Sequence, residues 1–178
     1  MTRFARFAGF MLLAIMLLTI GAPAARSAAK ITTPEGLIGR PSPVFNMKTV
    51  DGKQLGLRDH PGYVYLLDFW TISCPSCKAV PPVFQQVHKD YADKGVRVVG
   101  VNPADTAAAI KRNVASGGFT YYQVADQGGT LSDLFKVYAT PTIIVIDRKG
   151  VVRDVLVGVG GNWATRLTDL VAKLVAEG

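Results

Sequence analysis

The 178-residue chain is poor in the residues that build metal centres and disulfide scaffolds, with two cysteines, Cys74 and Cys77, and two histidines, His60 and His88. Disulfide-dense mini-proteins need several bridges, so that class is excluded. A closed structural zinc site needs four ligands, which a lone C-x-x-C with two distant histidines does not supply. Repeats and low-complexity tracts are missing after residue 29. With 49% hydrophobic residues the chain can bury a core, which excludes disorder and collagen-like structure. Acidic residues are absent from the first 29 positions, where Arg3, Arg6 and Arg26 contribute to the formal charge of +7. The other basic residues stand singly, so nothing points to nucleic acid as a partner.

What is present begins with a three-part leader. Arg3 and Arg6 precede the apolar stretch from Phe7 to Ile20, and the small residues GAPAARSAA follow, as in a secretory signal. Cleavage after Ala24 or Ala29 is one expectation. An uncleaved anchor is the other, because Phe7 to Ala25 carries no charge over 19 residues, close to the ~20 that a spanning helix needs. Residues 1–29 are therefore read as a signal peptide or N-terminal membrane anchor and residues 30–178 as one exported domain. For a bacterial-type signal this places the domain in the periplasm or on the outer face of the membrane, where disulfides persist.

The exported part alternates strands and helices. Val44 to Val50 and Lys53 to Leu57 flank Asp51-Gly52, a hairpin signal. Tyr63 to Trp70 is an apolar and aromatic run interrupted by Asp68, the pattern of a strand buried on both faces. Pro75 to Lys94 carries helical periodicity with Pro81-Pro82 in its first turns, and Gly95 ends it. Val96 to Val101 is a second buried strand, Asp105 to Ser116 a helix and Phe119 to Val124 an extended piece. Thr130 opens a short helix with Asp133 as a capping-box variant and Leu131, Leu134 and Phe135 inward. Thr142 to Asp147 and Val151 to Val157 form two strands around the turn Arg148-Lys149-Gly150. Asn162 caps a last amphipathic helix.

Cys74 and Cys77 form C-P-S-C where the apolar strand gives way to the helix. Pro75 suits the first helical position, which makes Cys74 the N-cap and turns its sulfur toward the free amides and the positive end of the dipole. Both favour the thiolate. A Cys74 thiolate can attack a disulfide, and Cys77, one turn later and less exposed, can resolve the mixed disulfide. Three other readings remain open. A structural staple over four residues removes little chain entropy, roughly 2 kcal/mol. Two thiolates could hold Cu(I) as a transfer chaperone. Thr71-Ile72-Ser73-Cys74 also has the T-x-x-C spacing of a peroxidatic cysteine, although Leu67 stands where that motif expects proline.

Around the pair, Asp68 lies six residues before Cys74 in a strand expected to be buried. It is read as a proton acceptor for Cys77 with a raised pKa, or else as a solvated strand-end acid. Thr140-Pro141 precedes the apolar strand TIIVI. His60 and His88 read as surface residues, and Gly158, Gly160 and Gly161 as turn glycines.

These residues together resemble the thioredoxin superfamily, and within it the exported thioredoxin-like branch of TlpA/ResA type. The resemblance rests on Gly39-Arg40-Pro41-Ser42-Pro43-Val44-Phe45, the Asp51-Gly52 hairpin, LLDFWTISCPSCK, Pro81-Pro82, VVGVN and ATPT before IIVIDRKG. It spans about Gly36 to Ala176 and implies an α/β thioredoxin fold, a central mixed sheet flanked by helices, with an added N-terminal β-hairpin. It further implies a thiol:disulfide oxidoreductase, read first as a reductant, with a disulfide-forming oxidant or isomerase as the alternative. Pro141 corresponds to the family's cis-proline, which packs on the active-site disulfide and binds substrate backbone, with Thr140 before it. Gly158 corresponds to a groove glycine and Trp70 to a tryptophan that supports the site. No metal or organic cofactor is implied. The expected partners are exported cysteine-containing clients and a membrane thiol:disulfide donor or acceptor, with the protein itself a monomer. Three departures stand out. Cytochrome c maturation members carry Glu three residues after the second cysteine, where this chain has Val80. Asp68 matches the buried Asp of cytosolic thioredoxin, but the partner lysine aligns with Gly100. Ser73 replaces the usual Trp before Cys74, which opens the groove.

Overall fold

The computed structural model describes residues 30–57 and 61–177, so the segment 1–29, expected to be a signal peptide or anchor, and His60 lie outside the described residues. A short antiparallel hairpin comes first, β1 (Asn46–Lys48) with β2 (Gln54–Gly56), in the register Met47↔Leu55. Asp51-Gly52 is not a two-residue turn. Thr49 N–H pairs with Lys53 O, Gly52 N–H donates to Thr49 O, and Gly52 has φ +86°. This is the three-residue loop in which a tight turn is followed by a left-handed glycine.

The remaining strands are β3 (Val64–Phe69), β4 (Val96–Asn102), β5 (Tyr122–Ala125), β6 (Thr142–Ile146) and β7 (Val152–Val157). They form one sheet in the order β5-β4-β3-β6-β7. The pairs β3/β4 and β4/β5 are parallel, whereas β6 is antiparallel to both β3 and β7. Every residue of β3 is buried because side chains alternate between two cores. Tyr65, Leu67 and Phe69 join Phe45, Met47, Leu55 and Phe135 on one face. Val64 and Leu66 join the helices α1 (Val80–Tyr91) and α4 (Trp163–Ala176) on the other, through Val80, Phe84, Leu167 and Val171. This is the mixed sheet flanked by helices, with the added hairpin, that the sequence implies.

Among the described residues two further α-helices are present, α2 (Ala107–Ser116) and α3 (Thr130–Leu134). Thr106 caps α2 by accepting from Ala109 N. The capping box expected at Thr130 does not form. Asp126, from upstream, accepts from Leu131 N, Ser132 N and Ser132 Oγ instead. Leu134 is exposed rather than inward, and Ser132 takes the buried place. Asn162 precedes α4 but makes no side-chain cap. The segment before the hairpin also has a part the sequence does not suggest. Gly39 N donates to Val152 O, Val152 N to Arg40 O and Ser42 N to Gly150 O, so residues 39–42 cover the start of edge strand β7.

Candidate active site

The site is built where β3 stops. Trp70 N–H still reaches Val101 O, and then the chain turns through Thr71–Ser73 to Cys74. Pro75 has φ −65° and ψ −41°, already helical. Cys77 N–H donates to Cys74 Sγ at 3.2 Å, so Cys74 caps the helix start with its sulfur, as its position predicts. The residues Ser76–Ala79 wind as a 3-10 turn, and the α-helix proper begins only at Val80. Pro81 and Pro82 have no N–H to give the carbonyls of Cys77 and Lys78, so the tighter pattern, Val80 N to Cys77 O, takes over there. Cys74 and Cys77 are joined as a disulfide. Cys77 is buried and Cys74 partly open, the asymmetry needed for an attacking and a resolving sulfur.

The late loop closes over the same sulfur. The Thr140-Pro141 bond is cis, and Cys74 Sγ lies 3.7 Å from Thr140 O. Gly158, at φ +75°, donates its N–H to Pro141 O at 2.8 Å. The structure therefore brings Cys74, Thr140, Pro141 and Gly158 together from separate stretches of chain. Trp70 is buried beside Cys77 and Ile110, and its indole N–H donates to Gln123 Oε1 at 3.2 Å. On the other flank of the pair, Trp70, Ile72, Cys74, Cys77, Pro81 and Phe119 line a cavity of about 140 Å³.

Asp68 is 1% exposed, so it is not a solvated strand-end acid. Its Oδ1 has no hydrogen-bond partner, and burial pushes its carboxyl up to about 8. Gly100 is its strand partner, with Ile143 on the other side. Val80, at the maturation-branch Glu position, is fully buried. Thr71 Oγ1 pairs with Ser73 Oγ at 3.4 Å, the contact that takes up its hydroxyl. His88 is half-buried in the last turn of α1 against Tyr122, far along the helix from the cysteines. Burial and Arg97 lower its pKa, while Asp93 raises it.

Two supports escaped the sequence reading. Asp105 Oδ2 accepts from Ile72 N at 2.9 Å and from Asn102 Nδ2 at 2.8 Å, which ties the approach to Cys74 onto the end of β4. Asn102 Oδ1 in turn accepts from Ala104 N and Asp105 N. The Asn-Pro-Ala-Asp string after an apolar strand is the signal for such a turn. The second is Gln123, whose partners are far away in sequence and left no local pattern.

Comparison with known proteins agrees with this geometry. A sequence model of the AhpC/TSA family matches residues 38–155. The chain is 38% identical over 148 residues to the thiol:disulfide interchange protein DsbE of Pseudomonas fluorescens biotype C, with 81% of each chain covered. It is 28% identical over 121 residues to the thiol-disulfide oxidoreductase ResA of Bacillus anthracis, covering 68% of this chain and 70% of that one. A crystal structure of a thioredoxin-family thiol:disulfide interchange protein from Chlorobium tepidum superposes with a TM-score of 0.67 at 27% identity, over 76% of this chain and 95% of that one. Fold and site define a thioredoxin-like thiol:disulfide oxidoreductase. The chain belongs to the AhpC/TSA family, among relatives of the DsbE and ResA type.

Proposed function

We propose that the protein is an exported reductant of disulfides in client proteins, with residues 1–29 as its export signal or membrane anchor. The observation that carries the exchange chemistry is the Cys77 N–H on Cys74 Sγ at the start of the helix, which favours a thiolate on the exposed sulfur. The Cys74 thiolate attacks a client disulfide, and one client sulfur leaves with the electron pair. The Cys77 proton then passes to Asp68, Cys77 attacks Cys74 Sγ, and the second client sulfur leaves. The client gains two electrons and the pair returns to the disulfide seen here. Thr140, cis-Pro141 and Gly158 form the edge on which client backbone lies, and Trp70 backs the pair. A membrane thiol:disulfide donor resets the site.

The direction depends on how far the fold stabilises the reduced form. Pro75-Ser76 supplies no charge between the cysteines, so the thiolate gains no ion pair from within the motif. Strong oxidants owe their potential to a stabilised reduced form. On the reductant reading, a reduction potential measured in glutathione buffers should fall near about −270 mV rather than about −120 mV. Cys77→Ser should trap mixed disulfides with exported clients and Cys74→Ser should trap none. The reverse pattern exchanges the roles of the two sulfurs, and a potential at the oxidising end removes the reductant reading.

A further inference from the structure

Behind the cysteine pair, the register sets Asp68 opposite Gly100 and Gly100 opposite Gln123, so all three face one side of the sheet. Gly100 leaves a notch that its neighbours fill. A Cβ there would overlap Gln123 Oε1 and lie 2.8 Å from Trp70 Nε1. The Gln123 carboxamide thus lies across β4 toward Asp68. Its orientation is fixed, because the Trp70 indole can only donate and holds the amide oxygen at 3.2 Å. The amide nitrogen is left at the other end. Gln123 Nε2 and Asp68 Oδ1 are both buried and both without a hydrogen-bond partner, one a donor and the other an acceptor. Such leftovers are costly in a core, and a complementary pair on one face of β3 and β5, with only the side-chain-free Gly100 of β4 between them, asks for an explanation.

We propose that Gln123 is a positioning residue for disulfide exchange: held on Trp70 by its oxygen, it offers its amide nitrogen to the Asp68 carboxylate and so governs proton exchange between Asp68 and Cys77. A neutral carboxyl makes little demand on such a donor. A carboxylate does, so the contact strengthens as the proton leaves Asp68. The inference rests on Asp68 as the proton acceptor. In the step concerned, the Cys77 S–H proton goes to Asp68, the Cys77 sulfur bonds to Cys74 Sγ, and the client sulfur departs from Cys74 with the electron pair. Other groups do little to Asp68. The core on its face is apolar, with Val80 and Phe84 from α1, Leu167 from α4 and Ile143 from β6. The titratable group that interacts with Asp68 is Tyr121, whose hydroxyl is pushed far up by burial and then by the Asp68 charge, against a smaller pull from Gln123. Burial is the cause of the raised Asp68 pKa.

The test follows Cys77 alone. Reduced protein is mixed with one equivalent of 5,5′-dithiobis(2-nitrobenzoate), and the second thionitrobenzoate released reports attack by Cys77 on the mixed disulfide at Cys74. Gln123→Leu keeps volume but loses the donor to the carboxylate, which raises the Asp68 pKa. The second phase should slow about tenfold near neutral pH and its midpoint should move up by about 1 on the pH scale. Gln123→Glu, which keeps an oxygen for Trp70 and loses the amide nitrogen, should shift the midpoint the same way and serves if the Leu variant folds poorly. Asp68→Asn should remove that midpoint, and Gln123→Leu added to it should change nothing more. If Gln123→Leu slows release equally without Asp68, or neither Gln123 variant moves the midpoint, the proposal falls while the role of Asp68 stands. If Asp68→Asn leaves the wild-type profile intact, the role of Asp68 falls and the proposal with it.

Discussion

Asp68 shares β3 with Val64, Tyr65, Leu66, Leu67 and Phe69, all as buried as it is. Its carboxyl titrates near 3.8 when solvated and is pushed up to about 8 in the fold. Between those values the folded chain keeps the proton and the unfolded chain releases it, so stability falls as pH rises through that window. The scale is about 1.4 kcal/mol for each tenfold difference in proton affinity between the two states. Asp68→Asn removes the titrating group while keeping the shape. Denaturant midpoints of the oxidised protein should show the variant gaining on wild type from about pH 5 to about pH 9, by a few kcal/mol at the upper end. An equal difference at both pH values would mean that Asp68 titrates as a solvated acid does. The same residue shows what a sequence can convey. A single acid in an apolar run announces a buried carboxyl, but its neighbour Gly100 reads as a lost lysine partner, and only the register shows it as the gap that Gln123 and Trp70 fill.

Elements whose ends are set by nearby residues were legible, and those set from a distance were not. The β3 run, the C-P-S-C junction and the Gly95 stop each follow from residues a few positions apart. The cap of α3 by Asp126 and the cover of β7 by residues 39–42 come from contacts with no periodic trace. The end of α3 illustrates the point. Val137 N donates to Ser132 O and Lys136 N to Asp133 O, a C-terminal motif that places Lys136 at φ 60°. Glycine is the usual residue there because it meets no penalty from Cβ. Lys136 is exposed, so its side chain can be removed without opening the core. Lys136→Gly should raise stability by about 0.5–1 kcal/mol, read from denaturant midpoints. A loss of stability would show that the lysine side chain contributes more than its backbone strain costs.

Across the whole molecule, the disulfide joins the loop after β3 to the 3-10 turn before α1, packed with Trp70, Ile72 and Ile110, while two larger cores lie on the two faces of the sheet. Phe69 and Phe135 pack on one face and Val80, Phe84 and Leu167 on the other, so the reduced protein should remain folded without the bond. The four-residue loop closed by the bond removes roughly 2 kcal/mol of unfolded-state entropy. Redox and folding are linked: the more the fold favours the disulfide, the lower the potential, by about 1.4 kcal/mol for each 30 mV. A reductant must then be more stable oxidised than reduced, and a strong oxidant the reverse. For a domain of this length the oxidised form should melt about 5 °C above the reduced form. Cys74→Ser and Cys77→Ser should both melt near the reduced value. Melting curves of the oxidised and reduced protein at one pH decide the matter, since a reduced form that melts higher assigns the molecule to disulfide formation.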